Sequence, residues 1–128
     1  MTVELNHTIV HATEPAASAR FLADMLGLVA RPQWGHFFPV EVGNGVTLDY
    51  MGDGGSFTPQ HYAFLVSDDE FDAAHARMLE AGIPTWADPG RSIPGEINHH
   101  FGGRGVYFDD PDGHLMEILT RPYGDLPN

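Results

Sequence analysis

Residues 106–119 read VYFDDPDGHLMEIL. Two short apolar stretches flank the Asp-Pro-Asp-Gly of 110–113, a composition suited to a tight turn, so the segment reads as two strands that double back on each other. The second strand sets Glu117 among Leu115, Met116, Ile118 and Leu119. Burying a lone carboxylate in such a strand is unfavourable by several kcal/mol unless a partner or a metal meets it.

The same arrangement occurs earlier in the chain. Gly-Asn-Gly at 43–45 precedes VTLDYM (46–51), and Asp49 lies four residues after Gly45 as Glu117 lies four after Gly113. Working outward, residues 3–11 and 60–67 read as strands rich in β-branched and aromatic residues, carrying His7 and His61. Each strand leads into a helix. The first is predicted over about 15–26, opened by Pro15 and stopped by Gly27; the second over about 69–81, with Ser67 and Glu70 at capping-box spacing and Gly82 then Pro84 at its end. His7 and His61 precede Gly27 and Gly82 by 20 and 21 positions, so the two His are equivalent in the repeat, as are Asp49 and Glu117. Strand-like stretches follow at about 28–34, 36–42 and 45–51, then at 84–88, 104–109 and 114–120. The predicted fold is therefore α+β. Two βαβββ modules, about 3–52 and 60–121, form a cupped mixed sheet around a metal site within a single domain, 1–128. The Gly- and Pro-rich connection 88–103 (DPGRSIPGEINHHFGG) is long enough to be expected as a lid.

Composition narrows the function. Eighteen acidic against 6 basic residues give a formal charge of −12, which repels phosphate backbones and anionic headgroups, so neither nucleic acid nor a membrane is an expected partner. No apolar run approaches the roughly 20 residues that span a bilayer, and the N-terminus has no basic-then-apolar leader, so a cytoplasmic protein acting on a small molecule is expected. With no Cys in the chain, a metal site must use His and carboxylates.

His7, His61 and Glu117 are the expected metal ligands, and Asp49 is either a fourth ligand, a base, or a helper that hydrogen-bonds a liganding His. Two neutral imidazoles and one carboxylate leave open positions on Fe(II), Mn(II), Ni(II) or Zn(II) for substrate oxygens or water. An isolated strand His is more often simply hydrogen-bonded; the repeat register is what raises these two above that reading.

LNHTIV (5–10), QHYAFLV (60–66) and VYFDDPDGHLMEIL (106–119) together resemble the vicinal-oxygen-chelate superfamily, which includes glyoxalase I, methylmalonyl-CoA epimerase, fosfomycin-resistance enzymes, bleomycin-binding proteins and extradiol dioxygenases. The resemblance spans essentially the whole chain and implies the fold and three metal ligands. NHHFGGRGVYFDDPDGHLME (98–117) further resembles the extradiol dioxygenase motif, which implies active-site roles for His100 and Tyr107. Ring-cleaving dioxygenase chemistry with Fe(II) or Mn(II) is the leading expectation. One departure is that Val46 stands where those enzymes place an acid/base His, with His36 or Asp49 as substitutes. An oxygen ligand at Asp49 instead resembles glyoxalase I and the epimerase, implying a lyase or isomerase with Ni(II) or Zn(II). A metal-free antibiotic-binding protein is the third reading. Exposed sheet edges predict a homodimer. His11 is expected to lie beyond the site, His75 and His114 to be solvated, and Arg91 and Arg104 either to grip a substrate anion or to solvate the surface.

Overall fold

The computed structural model describes residues 2–52 and 55–124, which divide into two compact units between Thr58 and Pro59. The first unit contains β1 (His7–His11), α1 (Pro15–Leu26), β2 (Phe38–Glu41) and β3 (Thr47–Met51). Its sheet has the order β1-β3-β2, with β1 parallel and β2 antiparallel to β3. Pro15 opens α1, and Gly27, at φ 71, turns the chain so that the Leu28 N–H reaches back to the Ala23 carbonyl. Val10, Val40, Leu48 and Tyr50 are buried on one face of the sheet, together with Ala19, Leu22 and Ala23 of α1. β1 is shorter than expected because β3, its ladder partner, begins only at Thr47 after the 43–45 turn. The stretch 28–34 forms only the single bridges Ala30–Val40 and Trp34–Phe37, since Pro32 and Pro39 each lack the N–H that a continuous ladder needs.

The second unit contains β4 (His61–Leu65), α2 (Asp68–Glu80), β5 (Thr85–Trp86), β6 (Gly105–Asp109) and β7 (Leu115–Leu119), with a short 3-10 turn at His100–Gly102. The strand order is β4-β7-β6-β5, and β4 runs parallel to β7. The capping box at α2 forms as expected, Ser67 N–H donating to Glu70 at 2.8 Å and Glu70 N–H to Ser67 Oγ at 3.1 Å. Phe71, Ala74 and Met78 bury the apolar side of α2, and Val106, Phe108, Met116 and Ile118 are buried from the sheet.

Strand register makes the two units equivalent more directly than sequence spacing does. In each, the His begins the first strand, and the acid lies two residues beyond the partner of that His: His7 pairs with Thr47 and Asp49 follows, His61 pairs with Leu115 and Glu117 follows. Side chains two apart on a strand share a face, as do register partners on neighbouring strands. His7 and Asp49 therefore lie on the sheet face of the first unit opposite Val10 and Leu48. In the second unit His61 and Glu117 lie opposite Met116 and Ile118.

The 88–103 connection is anchored rather than free. The Asp88 carboxylate accepts from the N–H groups of Ser92 and Ile93, Arg91 forks onto Asp109 at 2.6 and 3.1 Å, and Asn98 donates to the Ala87 carbonyl at 2.9 Å while bridging Gly105. An opening lid over this whole span is not what these residues build. Two further expectations are corrected. His114 is buried, accepting from the Gln60 N–H through Nδ1 at 2.9 Å. His75 is half-buried against Phe71, and desolvation, with Arg104 nearby, lowers its pKa. Arg104 is committed to Asp68 and Asp72 and lies over the Phe71 ring, and Arg91 is committed to Asp109, so neither faces a ligand as its sole partner.

Candidate metal centre

Glu117 is 1% exposed in the middle of β7, so its carboxylate depends on the groups around it. Oε1 lies 3.1 Å from His61 Nε2, and Oε2 accepts from the Tyr123 hydroxyl at 2.6 Å. The other ring nitrogen of His61, Nδ1, lies 2.8 Å from the Leu115 carbonyl. A carbonyl only accepts, so the proton of a neutral imidazole resides on Nδ1, and Nε2 presents a lone pair. That lone pair faces a carboxylate oxygen, and two acceptors do not attract. The contact is favourable when a positive charge joins them, either a second ring proton or a metal ion. A backbone carbonyl on one imidazole nitrogen with the other free to ligate is the arrangement common at metal-binding His residues. The donor set thus fits a divalent cation.

Tyr107 stands opposite Glu117 in the β6–β7 register, and its ring stacks on His61 at 6.0 Å between centroids. Its hydroxyl is 2.7 Å from that of Tyr123. Tyr123 has one hydroxyl proton, which goes to Glu117, so Tyr107 is the donor between the two phenols. The result is a directed chain, Tyr107 to Tyr123 to Glu117. Burial raises the pKa of both phenols, aided at Tyr123 by the Glu117 and Tyr107 hydrogen bonds, so both keep their protons at neutral pH.

The remaining expected residues are placed less closely. His7 is exposed, with Nδ1 2.7 Å from Asn6 Oδ1, and Asp49 is half-buried on the same sheet face. His100 is exposed on the 3-10 turn; its neighbour Phe101 packs against Tyr123 at 5.9 Å. His11 stacks on Phe57. Among the described residues, no three His, Asp or Glu side chains come together as a group that could hold a metal. Each unit instead supplies one His and one acid in equivalent register, and in the second unit the two are in contact. Tyr123 was not foreseen. It lies beyond the last strand, where the repeat offers no counterpart to flag it.

Residues 4–118 match the model of the Glyoxalase/Bleomycin resistance protein/Dioxygenase superfamily. The chain belongs to this superfamily. It is 28% identical over 124 residues to a glutathione transferase FosA of Serratia marcescens, covering 92% of this chain and 81% of that protein. A solved structure named oxidase ChaP-H2 is 64% identical, covers 97% of this chain and 98% of its own, and superposes with a TM-score of 0.94. A lactoylglutathione lyase from Agrobacterium tumefaciens, 17% identical with a TM-score of 0.73 over 98% of each chain, shares the fold. The transferase and the oxidase are enzymes by name, and no helix among the described residues is long and apolar enough to cross a membrane.

Proposed function

We propose that the protein is a metal-dependent oxidase that uses dioxygen on a small molecule chelating through adjacent oxygens, with ring cleavage of the extradiol type as its nearest chemical precedent. The observation that carries the reading is the His61 Nε2–Glu117 Oε1 contact, for which a metal ion supplies the joining positive charge in this proposal. His61, Glu117 and His7, the register equivalent of His61, are the ligands in this proposal, with Asp49 as a fourth ligand or as the partner of a liganding His. A bound Fe(II) or Mn(II) supplies Lewis acidity and open positions for substrate oxygens and for dioxygen.

The chain's own residues then have separate tasks. Leu115 fixes the orientation of the His61 ring. Tyr107, which stacks on His61 and donates its one hydroxyl proton to Tyr123 in the chain alone, is in this proposal the phenol that turns to donate to a bound substrate oxygen, and burial, which raises its pKa, opposes its acting as a base. His100, exposed beside the Phe101–Tyr123 pair, is the acid/base at the rim. Similarity to the oxidase ChaP-H2 favours oxygen chemistry over the isomerase alternative with Ni(II) or Zn(II). A homodimer accompanies this proposal, since the open sheet face leaves Leu65 61% exposed.

The test is anaerobic loading with Fe(II) or Mn(II), followed by a catechol panel with and without dioxygen, monitored by oxygen uptake and product absorbance. Oxygen-dependent turnover that falls in His100→Ala and Tyr107→Phe supports the proposal. Equal turnover without dioxygen assigns the isomerase class instead. A second reading follows from similarity to the glutathione transferase FosA. Consumption of glutathione by the metal-loaded protein, with an epoxide as co-substrate and no oxygen uptake, would establish it in place of the oxidase.

A further inference from the structure

Tyr123 lies outside the residues matched by the superfamily model, in the segment that follows β7. Its ring is more than half exposed, yet its hydroxyl reaches in to the fully buried Glu117. At 2.6 Å to Oε2 this is a short hydrogen bond to a charged acceptor, the strong kind. Tyr107 donates into the same hydroxyl and Phe101 packs against its ring, so the phenol is held from two sides. Oε1 is then the oxygen left facing His61 Nε2.

Resting on the metal reading above, we infer that Tyr123 is a positioning residue that occupies one oxygen of Glu117, so that the carboxylate gives a cation a single oxygen beside His61. The segment after the last strand is thereby part of the centre. Tyr123 contacts Glu117 directly, so in this inference its effect passes through that ligand to the metal. Outer hydrogen bonds of this kind typically change metal affinity by about 10–100-fold. The ring's exposure means that removing one hydroxyl leaves the fold intact.

The experiment compares wild type with Tyr123→Phe, both stripped with chelator and titrated with Co(II) under argon. Visible absorption reports ligand number and symmetry, and chelator competition reports affinity. Thermal unfolding of the metal-free proteins checks the fold. The expected result is a wild-type Co(II) spectrum that changes in band position and intensity in Tyr123→Phe, with affinity weakened about tenfold or more and a metal-free melting temperature close to wild type. An unchanged spectrum and affinity in Tyr123→Phe, with wild type loading normally, overturns the inference and leaves the metal reading standing. Failure of the wild type itself to load overturns both.

Discussion

Replacing Glu117 by Met separates what the residue does for the site from what it does for the fold. The side chain is 1% exposed, and Met has similar length and fills irregular core space readily. Its two partners are far less buried: the His61 side chain is 44% exposed and Tyr123 is 55% exposed. Water can therefore take over their hydrogen bonds, and no buried charge is left behind. Exchange of a buried ionic group for a packed apolar one is typically neutral or stabilising by about 1–4 kcal/mol. For a domain of this size that corresponds to roughly 3–5 °C in melting temperature per kcal/mol. The metal-free Glu117→Met protein is thus expected to melt at or above the wild-type temperature. Wild type should gain about 2.7 kcal/mol when a divalent metal is added at a hundred times its Kd, and the variant should gain nothing. Calorimetry in chelator and then in excess Mn(II) measures both quantities. A variant that is less stable than wild type by more than about 1 kcal/mol in chelator, or that still gains stability from metal, refutes the reasoning.

Other consequences follow from the rest of the chain. The pKa of His75 is lowered in the fold by desolvation and by Arg104, against a smaller opposing effect of Asp72. Its stabilisation is therefore present above the unfolded value, about 6.5, and is lost as pH falls through the lower folded value. Urea midpoints should drop between pH 7 and 5, and His75→Leu should flatten that slope. Met78, buried in the second unit, should cost about 2–5 kcal/mol when cut to Ala, measured by urea unfolding. Arg91→Ala breaks a partly exposed fork to Asp109, with a stability change of only about 0.2–1 kcal/mol, but it should speed proteolysis within 88–95, read by mass spectrometry of the fragments.

The fold was legible because its punctuation is local. Pro15 and Gly27 bound α1, Ser67 and Glu70 cap α2, and the turns at 43–45 and 110–113 set the register of both acids. What could not be read depends on contacts made across long separations. His114 looked like a turn residue, but the Gln60 N–H, 54 positions away, draws it inside. The 88–103 span read as a lid from its Gly and Pro content, while Asp88, Arg91 and Asn98, which pin it, look like ordinary surface residues until their partners are known. At the candidate site, an apolar strand and a repeat singled out Glu117 and His61, which the structure places in contact, whereas Tyr123 has no repeat equivalent. Its contact with Glu117 is a tertiary one, made by a residue beyond the end of β7.

The most direct test of the central claim is the metal content of anaerobically loaded, desalted protein, measured by mass spectrometry for wild type, His7→Ala, His61→Ala and Glu117→Ala. About one Fe(II) or Mn(II) per wild-type site is expected, with loss of bound metal in each of the three variants. Wild type that retains no divalent metal, or a Glu117→Ala protein that retains as much as wild type, would contradict it.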